Sequence, residues 1–140
     1  LHRVDRRQRQ MCIRDRVNTA KIANETPDLT MFNGHANQYV FEPLKARVGE
    51  RVRIWVLAAG PSRGCSFHVV GTQFDTVFKE GAYTLKRGNP EGGGCQALDL
   101  ASAQGGFVEM VFEEPGRYTF VNHSFVEMER GAKGFIEVTT

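Results

Sequence analysis

A succession of short apolar segments, separated by glycine and proline turns, most constrains what this chain can fold into. In residues 51–57 the apolar side chains Val52, Ile54 and Val56 alternate with other residues, and a period of two is typical of a half-buried β-strand. Gly60-Pro61 then breaks the pattern. Further strands are predicted at residues 44–48, 65–70, 74–78, 107–112, 118–121 and 134–138. About seven short strands with such turns predict an all-β sandwich.

Three other segments lack this alternation. Residues 79–97 are rich in Gly and charged side chains, which predicts a long loop of the kind that often carries function. Residues 126–130 are predicted to form one helical turn. Residues 17–30 are polar and contain one Pro, which predicts a linker.

The first 16 residues differ in composition from the rest of the chain. They hold six Arg against two Asp, so the formal charge of +2 for the whole chain leaves −2 for residues 17–140. Residues 11–16, Met-Cys-Ile-Arg-Asp-Arg, resemble the translation of a sequencing-library adaptor. We therefore expect residues 1–16, with His2 and Cys12, to be a non-native or adaptor-derived tail. The chain is then divided into this tail, a linker at 17–30 and one domain at 31–140, with the true N-terminus upstream.

Charge, hydropathy and cysteine spacing exclude several classes of function. Residues 17–140 have no basic excess, so binding to nucleic acid is not expected. No apolar run approaches the roughly 20 residues that a membrane span needs. Cys65 and Cys95 are either two free thiols or a disulfide, and a disulfide would imply an oxidising compartment. Their spacing does not predict a zinc site.

His68, a candidate functional residue, lies inside an apolar, strand-like run. Alternation along this run places His68 and Val70 on one face and Phe67 and Val69 on the other. The histidine could simply be a buried one with a hydrogen-bond partner, because an unpaired buried polar group costs roughly 1–3 kcal/mol. His35 lies in a turn-like sequence and is expected to be a solvated loop residue.

His123 follows a second apolar run and precedes Met128 with the spacing H-x-x-x-x-M. A blue-copper site needs two His, one Cys thiolate and usually a weak axial Met. Residues 119–122 contain no Cys, so a type 1 copper is not expected in this domain. His123 then has three interpretations: a turn histidine satisfied by backbone hydrogen bonds, a metal ligand at a domain boundary, or a proton shuttle.

Four blocks of sequence resemble the second cupredoxin domain of two-domain copper nitrite reductases, and the related multicopper oxidases share much of this pattern. The blocks are residues 31–34 (Met-Phe-Asn-Gly), residues 48–54, residues 66–71 with Phe74-Asp75, and residues 121–124 with residues 131–134. The resemblance extends over residues 30–139. It implies a cupredoxin-like Greek-key β-sandwich that is the second domain of a larger protein.

The resemblance also implies a site shared between subunits. In that family the first domain carries a type 1 copper and two histidines of a type 2 copper, and the third histidine comes from the second domain of a neighbouring subunit in a homotrimer. His123 matches this type 2 ligand. His68 matches the active-site histidine that relays protons to nitrite together with an aspartate from the first domain. Val70 matches the bulky apolar residue that shapes the pocket over the copper.

The function implied by the resemblance is the copper-dependent reduction of nitrite to nitric oxide, as in denitrification, by the full-length protein and not by this chain alone. This reaction consumes two protons and one electron, so it needs a proton donor near the substrate. The implied partners are nitrite and an external electron-donor protein, in a periplasmic or extracellular location. Two alternatives stay open: the second domain of a multicopper oxidase that uses dioxygen, and a non-catalytic cupredoxin-like domain for packing or oligomerisation. The oxidase would need His-x-His motifs, which residues 17–140 lack.

Overall fold

Nine β-strands in two sheets form the framework of the computed structural model, which describes residues 17–140. The predicted adaptor-derived tail, with His2 and Cys12, lies outside the described residues. The strands are β1 (Leu44–Arg47), β2 (Arg51–Leu57), β3 (Cys65–Val69), β4 (Thr76–Lys79), β5 (Ala82–Leu85), β6 (Ala97–Leu100), β7 (Gly105–Val111), β8 (Gly116–Asn122) and β9 (Lys133–Thr139). The short helices are α1 (Thr19–Ala23), α2 (Gln38–Phe41) and α3 (Phe125–Glu129). Each helix of the described part is too short to cross a lipid bilayer.

The larger sheet has the strand order β1-β9-β8-β3-β6, and the smaller has the order β2-β7-β4-β5. β1 runs parallel to β9, whereas the other strand pairs are antiparallel. Strands that are neighbours in a sheet are therefore often far apart in the chain. The two sheets pack face to face around one core, and the predicted all-β sandwich is confirmed.

Aromatic and branched side chains from both sheets fill this core. The largest fully buried side chains are Phe74, Phe112, Leu98, Leu100, Met110, Ile136, Val69 and Val108. On β2 the alternation predicted from the sequence is confirmed, because Val52, Ile54 and Val56 pack against the core while their neighbours are exposed. Each fully buried side chain of this size contributes about 1.5–3 kcal/mol to folding.

The long loop predicted at residues 79–97 is wrong in its first part. Lys79 pairs with Ala82 across a two-residue turn, and β5 continues as a hairpin with β4. Glu80 lies in this turn with a left-handed φ of 61°. The charged, Gly-containing sequence predicted a long loop here, and the chain instead forms a two-residue turn. The irregular segment is limited to residues 86–96.

Residues 17–30, predicted to be a linker, contain the helical turn α1. Asn18 caps α1, because its side chain accepts a hydrogen bond from the Lys21 N–H at 3.1 Å, as Asn commonly does at helix N-termini. The segment contacts the sandwich through an ion pair between Glu25 and Arg63 at 2.6 Å. The division of the chain at residue 30 stays a prediction.

Gly106 on β7 is expected to be a position where any larger residue destabilises the fold. A Cβ atom added there would lie 2.2 Å from the backbone oxygen of Phe78 on β4. Because a strand oxygen cannot move aside alone, Gly106→Ala should lower the free energy of unfolding by about 1–3 kcal/mol, the usual range for overpacking. Urea denaturation measures this change.

The neighbouring Gly105 offers a matched control. A Cβ atom added at Gly105 would meet its nearest atom, the backbone oxygen of Val56, at 3.5 Å, which is an ordinary contact. Gly105→Ala should therefore leave the unfolding midpoint nearly unchanged. Equal losses for the two variants would contradict the steric explanation.

Candidate active site

His68 and His123 lie side by side because β3 and β8 are antiparallel neighbours. The register pairs His68 with Val121, and the His123 N–H donates to the Ser66 oxygen at 2.8 Å just beyond the end of β8. The two imidazole ring centroids are 5.4 Å apart, with the ring planes at 68° to each other. The strand pairing thus brings two histidines from distant parts of the chain onto one surface.

Alternation along β3 sets which side chains face outwards. Phe67 and Val69 are 2% and 0% exposed in the core, whereas His68 is half-buried on the opposite face. Val70, which follows β3, is 50% exposed, and its N–H donates to the Thr119 oxygen at 2.8 Å. The predicted assignment of these four side chains to two faces is confirmed.

His68 is held by the backbone of the segment before β6. Its Nδ1 atom lies 2.5 Å from the carbonyl oxygen of Gln96. A carbonyl oxygen can only accept, so Nδ1 carries the hydrogen and donates it. Nε2 is then the ring nitrogen that can gain or release a proton. Sequence patterns could not indicate this contact, because the partner is a main-chain atom.

The backbone N–H of His123 is hydrogen-bonded to the Ser66 oxygen, and its side chain is exposed. The ring of Phe125 on α3 packs beside it, with centroids 5.0 Å apart and the planes at 26°. Phe125 and Val126 are 59% and 55% exposed, so α3 presents apolar side chains to solvent close to His123 in the chain. Met128, which the sequence pattern offered as an axial ligand, is half-buried on α3. His35 lies in an exposed turn, as predicted.

Asn122 and Glu127 form a buried pair that sequence reasoning missed. They are 5% and 6% exposed, and the Asn122 Nδ2 atom donates to the Glu127 Oε2 atom. The Asn122 Oδ1 atom accepts from the Ser66 N–H at 3.1 Å. The signal that could have found them is the alternation of β8, because Asn122 occupies an inward position two residues after Phe120.

The two cysteines of the described domain are free thiols, so the disulfide alternative is not formed in this structure. Burial, and secondly the negative charge of Glu127, raises the pKa of the Cys65 thiol to about 11. Cys95 donates from Sγ to the Ala97 oxygen at 2.9 Å. Both cysteine side chains pack against the hydrophobic core.

The described residues fit part of a metal site rather than a whole one. Within residues 17–140, no three His, Cys, Asp or Glu side chains come together in a way that could hold a metal ion. Imidazole is nevertheless a ligand that copper favours, and an exposed His123 can join ligands from another protein surface. Catalytic metal sites with three protein ligands keep one position open for substrate. His123 could therefore supply one ligand of a shared site.

A separate groove of about 1390 Å³ lies where the sandwich opens beside α1. Its lining includes Ile22, Leu29, Ile54 and Val56, and neither His68 nor His123 contributes to it. The groove is mainly apolar in its lining residues. Its lining also includes Asn122 and Glu127, so it reaches the buried pair next to the segment that carries His123.

Comparisons with known proteins agree on the class of fold. No protein-family model matches the chain. The copper-containing nitrite reductase of Neisseria gonorrhoeae is 35% identical over 120 residues, which are 84% of this chain and 29% of that protein. The solved Cu-containing nitrite reductase (NirK) from Thermus scotoductus SA-01 superposes with a TM-score of 0.76 and 28% identity, over 88% of this chain and 28% of that one. A multicopper oxidase crystal structure gives a TM-score of 0.68 with 26% identity, over 79% and 37% of the two chains.

The two packed sheets and these superpositions define a cupredoxin-like Greek-key β-sandwich. The chain spans only 29% of the length of the Neisseria gonorrhoeae protein, so it corresponds to one part of such a protein. The chain is therefore similar to one part of copper-containing nitrite reductases and multicopper oxidases, and it has the fold of a cupredoxin domain.

Proposed function

We propose that this chain is the second, C-terminal cupredoxin domain of a copper-dependent nitrite reductase that forms nitric oxide. The observation that carries the proposal is the pair His68 and His123, whose rings lie 5.4 Å apart on one outer face. The likeness to nitrite reductases supports copper as the metal. The isolated chain, with an incomplete set of ligands, is inactive.

His123 supplies one imidazole ligand to a type 2 copper at a boundary between subunits. The other two ligands, and the separate type 1 copper, come from first domains in a homotrimer. The exposed apolar side chains Val70, Phe125 and Val126 support contact with another protein surface, because grouped apolar side chains of this kind often mark interfaces. Copper, when bound, supplies the electron to nitrite.

His68 relays protons to nitrite. The reaction takes nitrite, two protons and one electron to nitric oxide and water, so protons must reach the substrate. The Gln96 carbonyl holds His68 through Nδ1 and leaves Nε2 to pass a proton towards the pocket. Val70 forms an apolar wall beside this path. An external electron-donor protein supplies the electrons in a periplasmic or extracellular compartment.

The experiment that tests this proposal uses the full-length, copper-loaded protein with a chemical reductant. Nitric oxide formation and dioxygen consumption are measured in parallel, and we expect nitrite to be the preferred acceptor. Dioxygen as the sole acceptor would favour the multicopper oxidase alternative. Absence of a type 2 copper signal in electron spin resonance would favour the non-catalytic domain.

His68→Asn tests the proton relay in the same protein. We expect kcat to fall about 100-fold, the lower end for loss of a general acid–base group, while copper content stays unchanged. His35→Asn, in an exposed turn, is the control and should keep full activity. An unchanged kcat in His68→Asn would rule out the relay.

A further inference from the structure

The buried pair Asn122–Glu127 lies directly behind the segment that carries His123. We propose that this pair positions His123 for the metal, an inference that rests on the proposed function. Asn122 precedes the histidine and Glu127 lies on α3 just after it. Neither side chain is presented at the outer surface, since they are 5% and 6% exposed, so both act on His123 through the backbone.

The first part of the argument is how the end of β8 is fixed to the start of β3. Ser66 donates its N–H to the Asn122 Oδ1 atom at 3.1 Å and accepts from the His123 N–H at 2.8 Å. Both main-chain groups of Ser66 are thus used by two consecutive residues. Loss of the Asn122 amide would leave the Ser66 N–H without this partner. The hydrogen bond from the His123 N–H to the Ser66 oxygen would then lose the adjacent contact that holds the two strands together.

The second part is how α3 is fixed to β8. The Asn122 N–H donates to the Ala132 oxygen at 3.1 Å, and the Ala132 N–H donates to the Glu127 oxygen at 3.1 Å. The side-chain hydrogen bond from Asn122 to Glu127 connects the same two residues directly. Hydrogen bonds therefore fix the residues on both sides of segment 123–126. The side chains of His123 and of its packed neighbour Phe125 project from this segment.

The physical consequence concerns the orientation of the imidazole. Partners that orient a metal ligand commonly change metal affinity or activity by roughly 10- to 100-fold when they are removed. Here the buried pair would orient the imidazole by fixing the main chain at His123, and not by a hydrogen bond to the ring nitrogen that does not bind the metal. A hydrogen bond to a carboxylate is also stronger than one between neutral groups, which suits a rigid connection.

The test exchanges the donor and the acceptor in the full-length, copper-loaded protein. Asn122→Asp removes the amide that donates to Glu127 and puts a second acidic group in its place, so type 2 copper affinity should fall roughly 10- to 100-fold with an altered type 2 spin-resonance signal. Adding Glu127→Gln restores a hydrogen bond in the reverse direction, because the amide introduced by this second substitution donates to the carboxylate introduced by the first. The double variant should recover most of the copper affinity.

A second readout uses the metal-free protein. Amide hydrogen exchange at His123 reports how firmly its N–H is held against the Ser66 oxygen. We expect exchange to become at least about tenfold faster in Asn122→Asp and to return towards the original rate in the double variant. If Asn122→Asp fails to fold, Glu127→Ala, which leaves the Ser66 contact in place, should show the same loss of copper affinity to a smaller extent.

Controls separate positioning from general stability. Thr76 is 4% exposed, and its hydroxyl donates to Asp75 at 2.9 Å on the other sheet, so Thr76→Val should lower stability but keep the type 2 signal. Unchanged copper affinity and exchange in Asn122→Asp, or no recovery in the double variant, would overturn the inference. Retention of type 2 copper in His123→Ala would instead overturn the proposed function itself.

Discussion

His123→Ala in the full-length, copper-loaded protein should lose the type 2 copper signal and reduce nitric oxide formation to background. The imidazole is the exposed ring that the described residues offer beside His68, and alanine has no atom that can replace it. Removal of a direct ligand should lower copper affinity by more than the roughly 10- to 100-fold that follows removal of a residue that only orients a ligand. Spin resonance, copper content per subunit and a nitric oxide electrode measure the result.

The same samples contain their own control. The type 1 copper is expected in the first domain, so its visible absorption should persist in His123→Ala. His35→Ala should behave like the unsubstituted protein, because His35 lies in an exposed turn. A type 2 signal of normal intensity in His123→Ala would show that another residue binds the metal.

Phe67→Ala should cause the largest loss of stability among the substitutions considered, about 3–5 kcal/mol. Phe67 is 2% exposed, and its ring packs against Phe32, Phe74 and Phe120 with centroid distances of 6.1, 6.5 and 5.8 Å. The substitution would leave a cavity between the sheets that these rings cannot close. Urea denaturation followed by circular dichroism measures the change in midpoint.

A surface substitution is the control for this loss of stability. Leu57→Ala provides the comparison, since Leu57 is on β2 and 65% exposed. Its effect should stay within about 0.5 kcal/mol, as is usual for surface positions. A loss below about 1 kcal/mol for Phe67→Ala would mean that the core relaxes around the missing ring far more than a packed interior normally does.

The sandwich was predictable because local alternation reports which side of a strand is buried. Val52, Ile54 and Val56 on β2 were identified by that period alone. β5 was not identified, because a two-residue turn at Glu80 and Gly81 resembles the start of a loop in composition. The order of strands in each sheet depends on contacts between distant segments, which periodicity does not encode.

The candidate site could be predicted in part. His68 and His123 were identified as candidates from their apolar surroundings and from the resemblance, and the pairing of β3 with β8 then accounts for their closeness. The carbonyl of Gln96 could not be identified, because every residue carries the same main-chain oxygen. Asn122 was identifiable in principle, since a polar side chain at an inward position of a strand needs a buried partner.

The parallel pairing of β1 with β9 has a consequence for the making of the protein. Leu44 pairs with Ile136, so the ribosome must add roughly 90 further residues before β1 meets its neighbour in the sheet, about 5–20 s at ordinary rates of synthesis. Until then the five-stranded sheet cannot be completed, and β1 exposes main-chain groups that another strand could pair with wrongly. We expect a nascent chain that stalls before β9 to be a substrate for chaperones.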